Sequence, residues 1–185
     1  DSRACFDNLL KIIQNFLREA NCSPQQISCA CMTVGGRVTP QAGTAYNIFT
    51  TLDEPLADAL TQGLAIPTTI DNDTRCMTYG EWLQGCCRGL QHVVFINVSW
   101  GIGMGIIIDG KRYAGRSGYA GEMGHVHCYD NDIICHCGKT GCMETETSGA
   151  ALLRKVMQRL RNGQVSILSN TPENELSLQA ILDAI

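Results

Sequence analysis

Apolar residues recur every three or four positions near the start of the chain. Between Arg3 and Ala20 they fall at Phe6, Leu9, Leu10, Ile13, Phe16 and Leu17. That spacing places them on one face and predicts an amphipathic helix. Ser23-Pro24 ends this helix, and the apolar run over 27–34 predicts a buried strand that ends at Gly35-Gly36.

The next segments alternate between strand and helix patterns. Residues 37–52 show no clear period and predict a loop, after which a helix runs from the acidic, proline-containing start at 53–55 to Gly63. A short strand is predicted over 66–70, and a helix over 74–88. Between them lies Asp71-Asn72-Asp73. A carboxylate at such a strand end is a candidate ligand contact, although Asp73 as a plain helix N-cap explains the pattern equally well.

The second half of the chain continues the α/β pattern. The β-branched and aromatic run over 92–99 predicts a strand. A glycine-rich turn then leads to a second strand over 106–108, and Asp109-Gly110 predicts a hairpin turn of the primed type. Helices are predicted from Ser148 to Arg161 and over 176–185. Because the chain stops inside the last of these patterns, we expect it to be a fragment.

The bulk composition limits the classes of function. The chain is 44% hydrophobic with a net charge of −4, and its Lys and Arg residues form no run. This chain therefore lacks the basic run that is typical of a nucleic-acid-binding protein. No segment approaches the roughly 20 apolar residues of a membrane span, so we expect a cytoplasmic protein without membrane contact.

Cysteine is frequent, with eleven residues. Five of them lie inside strand-like or helix-like segments, where a free cysteine acts as a small hydrophobe: Cys5, Cys29, Cys31, Cys76 and Cys86. Only the group Cys135, Cys137 and Cys142 has metal-site spacing. With one more ligand it would complete a Cys3His zinc site. Spacing leaves that ligand open among His125, His127, His136 and Cys128.

Other polar residues around this segment are candidate ligand contacts. Glu122 and Glu144 flank the cysteine loop and could accept hydrogen bonds from sugar hydroxyls, although both could equally be solvated surface acids. Further upstream, Gly101, Gly103 and Gly105 alternate along the chain. They follow a strand and lead into another strand, which excludes a dinucleotide fingerprint. Their amides could still bind a phosphate.

These residues together resemble the ROK family, which groups sugar kinases with sugar-responsive transcriptional repressors of the NagC/XylR type. The most specific match lies between Gly121 and Glu144. It consists of Gly-Glu-x-Gly-His, nine further residues, and Cys-x-Cys-Gly-x-x-Gly-Cys-x-Glu. The resemblance implies bound Zn²⁺, with the ligands His125, Cys135, Cys137 and Cys142. It also implies a sugar pocket lined by Gly36, Asn72, Asp73, Glu122, His125 and Glu144.

The resemblance also implies the fold, a partial actin-like ATPase (ribonuclease H-like) α/β fold with a zinc loop. Residues 1–90 would form the end of the first lobe, and residues 91–185 the start of the second. The family's N-terminal Asp-x-Gly-Gly-Thr motif would precede this chain. In kinase members the aspartate that matches Asp73 is the general base, and ATP with Mg²⁺ is the phosphoryl donor.

Two departures from the kinase pattern favour a regulator. Trp100 stands where kinases carry a small hydroxyl residue near the phosphates, and Met104 replaces a glycine. The expected function is therefore the sugar-sensing portion of a ROK regulator that binds a sugar or sugar phosphate. Such a protein would contact DNA through an upstream helix-turn-helix and form a homo-oligomer. An ATP-dependent sugar kinase with Asp73 as its base is the alternative.

Overall fold

The structure, a computed structural model, describes residues 2–46 and 48–185. The predicted loop over 37–52 includes one residue outside this part, and the predicted first segment over 1–90 includes two. The described chain divides into two compact units that interleave along the sequence. Unit 1 comprises Asp1–Val93 and Ile106–Ala120, and unit 2 comprises Val94–Gly105 and Gly121–Ile185. The predicted division into two lobes at residue 90 stays a prediction.

Unit 1 begins with helix α1 (Ser2–Glu19), as the apolar period predicts. Strand β1 (Ala30–Val34) starts three residues later than the predicted strand, because its pairing with the neighbouring strand starts at Ala30, opposite Thr68. Helix α2 (Leu56–Leu64) and strand β4 (Thr68–Asn72) follow, and β4 pairs in parallel with β1. Helix α3 (Asp73–Gln84) leaves the end of β4 directly.

The expected loop over 37–52 is wrong in part. Strands β2 (Val38–Thr39) and β3 (Thr44–Ala45) form a small antiparallel hairpin there, with Val38 opposite Ala45. Each strand is only two residues long, which is too short for an alternating pattern to be visible in the sequence. Val38 faces the core with 0% exposure.

The core of unit 1 lies between its helices and the β1–β4 sheet. Phe6 of α1 meets Phe49 edge to face, with ring centroids 5.5 Å apart. Leu60 of α2 and Ile70 of β4 are almost fully buried in the same cluster. This packing fixes the carboxyl end of β4, from which Asn72 and Asp73 extend.

Strand β5 (Val93–Val98) and strand β6 (Ile102–Ile108) appear close to their predicted positions, although β6 starts four residues earlier than the predicted 106. Strand β7 (Lys111–Arg112) completes the sheet in the order β5-β6-β7. The turn between β6 and β7 has positive φ at Asp109 (50°) and Gly110 (65°), which confirms the predicted primed hairpin.

Unit 2 contains three further helices: α4 (Glu144–Thr147), α5 (Gly149–Arg161) and α6 (Leu178–Asp183). Ser148 caps α5 as predicted, because its side chain accepts a hydrogen bond from the Ala151 amide at 3.2 Å. Within residues 2–46 and 48–185, every helix is too short or too polar to span a lipid bilayer.

The expectation that five cysteines act as buried hydrophobes is wrong for most of them. Cys5, Cys29, Cys31 and Cys86 are exposed, and Cys76 is half-buried. The apolar periodicity that surrounds a cysteine does not decide whether its own side chain lies on the buried face. Cys31, for example, alternates with the more buried positions of β1.

Candidate functional site: a Cys3His cluster and two groups of polar residues

Three cysteines and one histidine converge in unit 2. Their ligand atoms all lie within 4.8 Å of one another, and the set is His125, Cys135, Cys137 and Cys142. Gly138 and Gly141 have positive φ (87° and 73°), so the loop between the cysteines reverses direction sharply. Backbone hydrogen bonds close this loop, including one of 2.8 Å from the Cys135 amide to the Lys139 carbonyl.

The spacing of these atoms matches a tetrahedral zinc site. Zinc–sulfur bonds of about 2.3 Å would place two ligand sulfurs about 3.8 Å apart. The Sγ atoms of Cys137 and Cys142 are 3.6 Å apart, and Cys135 Sγ lies 3.5 Å from His125 Nδ1. The donor set and its geometry therefore fit zinc, with Nδ1 as the nitrogen that faces the thiols.

The thiols differ in their acid strength. Burial raises the pKa of the Cys135 thiol to about 12 and also raises the pKa of Cys142. Burial acts in the same direction on Cys137, but hydrogen bonds from the Lys139 backbone and the other two thiols outweigh it and lower the pKa of Cys137. A bound cation would offset the cost of holding several thiolates together.

The competing ligands lie outside this set of four, although His136 Nδ1 is 4.0 Å from Cys135 Sγ and forms a second candidate group with His125 and Glu144. The His127 ring is exposed, and its Nδ1 lies 3.3 Å from the Thr140 carbonyl oxygen. His136 Nδ1 lies 2.8 Å from Glu144 Oε1. Cys128 is exposed and does not belong to the cluster. The sequence alone could not choose among these residues, whereas the structure brings His125 to the three thiols.

Two carboxylates accompany this cluster. Glu122 Oε2 lies 3.8 Å from His125 Nε2, on the ring edge opposite the nitrogen that faces the thiols. Glu144 begins α4 and is 8% exposed. Its Oε2 accepts a hydrogen bond of 2.8 Å from the Ile102 amide, so the start of β6 fixes its position. Glu122 and Glu144 therefore both lie close to His125 in unit 2.

Gly101 leaves the space that Glu144 occupies. A Cβ at position 101 would stand 2.7 Å from Glu144 Oε2. We therefore expect Gly101→Ala to displace this carboxylate and to lower the free energy of unfolding by about 1–3 kcal/mol, as overpacking does. Thermal or chemical unfolding of the two proteins measures this difference.

Gly80→Ala is the matched control for that substitution. Gly80 lies in α3, and a Cβ there would meet no atom within 4 Å. Alanine in a helix interior is favoured over glycine by up to about 1 kcal/mol, so this variant should be as stable as the parent or more stable. Equal stability of the Gly101 and Gly80 variants would contradict the steric account.

The other predicted sugar residues lie in unit 1. Asn72 is the N-cap of α3, since its Oδ1 accepts from the Arg75 amide at 3.0 Å. Its Nδ2 donates to the Gly36 carbonyl, also at 3.0 Å. Asp73 is thus the first residue of the helix and not its cap, and its Oδ1 accepts from the Thr74 amide at 2.7 Å. A Cβ at Gly35 would stand 3.6 Å from Asp73 Oδ2, so glycine leaves room beside this oxygen.

A buried ion pair beneath these residues was missed at the sequence level. Arg75 and Asp71 are 7% and 8% exposed, with Nε and Oδ1 3.3 Å apart. Asp71 also pairs with Arg112. Arg75 Nη2 donates to the Val38 carbonyl at 2.9 Å, and Nη1 donates to the Gly118 carbonyl. The only sequence signal is an aspartate four residues before an arginine, which is common on solvated surfaces.

The glycine turn is part of a strand. Gly101 immediately precedes β6, and Gly103 and Gly105 lie inside it. The Trp100 side chain is 63% exposed. The amide of Ile102, between the first two glycines, is bonded to Glu144.

Comparison with known proteins decides the family. The ROK family model matches residues 3–184. The chain belongs to the ROK family. The resemblance inferred from the zinc-loop motif is therefore confirmed.

Relatives in the ROK family include both regulators and kinases. The chain is 28% identical to the xylose repressor of Bacillus subtilis (strain 168) over 178 residues, which are 96% of this chain and 43% of the repressor. It is 35% identical to the glucokinase of Streptomyces coelicolor over 127 residues, 67% of this chain and 40% of the kinase. The chain thus spans less than half the length of these two relatives.

Solved ROK structures are similar over nearly the whole chain. One is a ROK family transcriptional regulator described as a homolog of the Escherichia coli MLC protein; the TM-score is 0.77 at 28% identity, covering 100% of this chain and 46% of that one. Another is a ROK glucokinase from Streptomyces griseus in complex with glucose and AMPPNP, with a TM-score of 0.80 at 26% identity, covering 96% and 59%. These neighbours imply the actin-like ATPase fold.

Proposed function

We propose that this chain is the sugar-sensing part of a ROK transcriptional regulator. The observation that carries this proposal is the glycine turn itself, which lies in β6 with Met104 in place of a glycine of the kinase pattern. In a kinase, this turn would hold phosphates. Its Ile102 amide donates a hydrogen bond of 2.8 Å to Glu144 Oε2, so this amide is already used.

Trp100 supports the same proposal. Its exposed indole stands at the start of the turn, in place of the small hydroxyl residue that the kinase pattern carries. An indole offers one N–H donor, but it fills far more space than a hydroxyl side chain. The turn can therefore lose phosphate binding while the sugar-binding residues are kept.

Sugar binding in unit 1 is assigned to Gly36, Asn72 and Asp73. Asn72 is held at both ends of its amide, by the Arg75 amide and the Gly36 carbonyl. The Asp73 carboxylate accepts a hydrogen bond at Oδ1, and its Oδ2 lies beside Gly35. A fixed carboxylate is well suited to accept hydrogen bonds from sugar hydroxyls, because its side chain loses little conformational entropy on binding.

Sugar binding in unit 2 is assigned to Glu122, His125 and Glu144. Each carboxylate oxygen can accept two hydrogen bonds, so Glu144 keeps acceptor capacity besides its contacts to Ile102 and His136. Glu122 lies beside the ring edge of His125 that the cluster does not use. At 3.8 Å, the two side chains are at ion-pair distance.

Zn²⁺ fits the four ligands His125, Cys135, Cys137 and Cys142, whose donor atoms lie within 4.8 Å of one another. When bound, it would supply structural cross-linking and no chemistry on the sugar. His125 belongs to both the cluster and the proposed sugar site. The cysteine loop thereby keeps the ring of His125 in place beside Glu122.

Regulation requires a second site and two states. In the proposed regulator an upstream helix-turn-helix binds DNA, and sugar shifts the protein between states that differ in sugar affinity. Homo-oligomer formation is part of this proposal, because repressor operators with two half-sites match a two-fold symmetric protein.

An ATP-dependent sugar kinase is the second candidate, and Asp73 is the residue that favours it. The Asp73 carboxylate uses Oδ1 to accept from the Thr74 amide. Its Oδ2 can take a proton from a sugar hydroxyl. ATP and Mg²⁺ would then be required. In that case the Ile102 amide would have to be released from Glu144 or left out of phosphate binding.

One assay on the full-length protein separates the two candidates. ADP release is measured with ATP, Mg²⁺ and a panel of glucose, xylose and N-acetylmannosamine, and release from operator DNA is measured with the same sugars. The regulator predicts sugar-dependent DNA release without ADP formation. Turnover at about 1 s⁻¹ or faster, lost in Asp73→Asn, would establish the kinase instead.

A further inference from the structure

A second polar cluster in unit 1 lies next to Gly36. The hydroxyl of Thr39 is 3.1 Å from the Tyr119 hydroxyl and 3.4 Å from the Tyr46 hydroxyl. The rings of Tyr46 and Tyr119 meet edge to face, with centroids 6.5 Å apart. The Arg37 guanidinium lies 5.9 Å from the centre of the Tyr119 ring. We call these four residues the Arg37 cluster.

The β2–β3 hairpin presents this cluster away from the core. Arg37 and Thr39 flank Val38, and alternate residues of an extended chain point to opposite faces. Val38 is completely buried, so its two neighbours face outward. The Tyr46 amide donates to the Arg37 carbonyl at 3.0 Å, which places Tyr46 directly across the hairpin from Arg37.

Buried Arg75 fixes the backbone beneath the cluster. It donates to the carbonyl of Val38 and to the carbonyl of Gly118. The residues that follow these two carbonyls are Thr39 and Tyr119. Arg75 is itself 7% exposed and paired with Asp71. Two segments that are 80 positions apart in the chain are thus held in register by one buried side chain.

The Arg37 cluster contains hydrogen-bond donors and one positive charge, and none of its four side chains is a carboxylate. Arg37 offers five N–H donors, and the two hydrogen bonds among the three hydroxyls leave one further hydroxyl hydrogen for a ligand. Within residues 2–46 and 48–185, no carboxylate lies within ion-pair distance of Arg37. Hydrogen bonds from Thr39 and then Tyr119 lower the pKa of the Tyr46 phenol, which indicates surroundings that favour negative charge. Stacking on Tyr119 also restricts the guanidinium before any ligand binds.

From these contacts we infer that the Arg37 cluster is a subsite for an anionic substituent, a phosphate, on the sugar that this chain binds. The inference rests on the proposed sugar-binding function. Gly36 connects the two sites, because its carbonyl accepts the Asn72 amide and the next residue is Arg37. Guanidinium and hydroxyl donors together are the groups that bind phosphate oxygens in proteins.

The test compares paired ligands on the full-length protein. Glucose and N-acetylmannosamine are titrated beside their 6-phosphates, with inorganic phosphate as a free-anion probe. The variants are Arg37→Gln and the control Arg116→Gln, whose side chain is also exposed. We expect one sugar phosphate to bind at least about tenfold more tightly than its neutral sugar, because a charge-assisted bidentate contact contributes more than a neutral one. Arg37→Gln should abolish that difference and leave the affinity for the neutral sugar unchanged.

Three results would overturn the inference. They are equal affinity for the neutral and phosphorylated sugars, a preference for phosphate that survives in Arg37→Gln, and inorganic phosphate binding as tightly as the sugar phosphate. Binding of a neutral sugar under any of these results would leave the proposed sugar sensor intact. Failure of every sugar and sugar phosphate to bind would refute the proposed function itself, and the inference with it.

Discussion

Cys142→Ser is expected to reduce the zinc content from about one ion per chain to less than about a tenth. Cys142 is 1% exposed, and its sulfur lies 3.6 Å from that of Cys137. The serine hydroxyl is a harder ligand than a thiolate, and its side chain is shorter. The variant would therefore keep only three of the four ligands. Zinc binding contributes about 10 kcal/mol or more in small zinc peptides, so the loss should also lower the melting temperature. Elemental analysis and thermal unfolding measure both effects.

Cys128→Ser is the matched control for the metal site. Cys128 is exposed, lies outside the cluster, and was a competing ligand by sequence spacing. Its replacement should leave both the zinc content and the melting temperature unchanged. Zinc retained by the Cys142 variant, or lost by the Cys128 variant, would contradict the assigned ligand set.

The second large effect is expected at Arg75. Arg75→Met should lower the free energy of unfolding by about 3 kcal/mol, because it removes one of the two cations that pair with the buried Asp71 carboxylate. The carbonyls of Val38 and Gly118 also lose their donor. Arg112 still pairs with Asp71, which keeps the loss at the lower end of the range for buried pairs. Chemical denaturation of the full-length protein measures the difference.

The double variant Asp71→Asn with Arg75→Met isolates the ion pair. Its loss of stability should be smaller than the sum of the two single losses, because the buried carboxylate is gone. Arg116→Gln serves as the surface control and should change stability by less than about 0.5 kcal/mol. A loss below about 1 kcal/mol in Arg75→Met, or strict additivity in the double variant, would show that the pair does not support the fold.

Local patterns predicted the parts of this chain that depend on local physics. The apolar period of residues 3–20 gave α1 within one or two residues, since the period directly reports which face is buried. Asp109-Gly110 predicted a turn with two positive φ angles, which this residue pair tolerates. The cysteine spacing likewise predicted that three cysteines converge, because Gly138 and Gly141 bend the chain within a few residues.

Non-local pairing explains what the sequence did not reveal. β4 extends to Asn72 because it pairs with Val34 of β1, so Asp71 lies within the strand and not after it. The Arg37 cluster depends on Tyr119, which is distant in the sequence. Arg75 looks like an ordinary polar helix residue until the hairpin and the segment at Gly118 cover it. No periodicity within a short window encodes such contacts.

The fourth member of the proposed metal cluster shows the same limit. His125, His127 and His136 all have acceptable spacing, and the choice depends on where each ring points in the folded loop. His136 turns to Glu144, and His127 turns to the Thr140 carbonyl. The family resemblance implied His125, and its Nδ1 is the histidine atom that lies 3.5 Å from Cys135 Sγ within the four-residue cluster.

The proposed sugar sensor is tested most directly by calorimetric titration of the full-length protein. The ligands are glucose, xylose, N-acetylmannosamine and their phosphates. Asp73→Asn and the exposed control Asp58→Asn are titrated beside the parent protein. Losing a hydrogen bond to a charged group costs about 1.5–3 kcal/mol, so at least one ligand should bind the parent and bind Asp73→Asn about tenfold to a hundredfold more weakly. Asp58→Asn should match the parent. Absence of binding to the parent, or equal affinity in Asp73→Asn, would contradict the account.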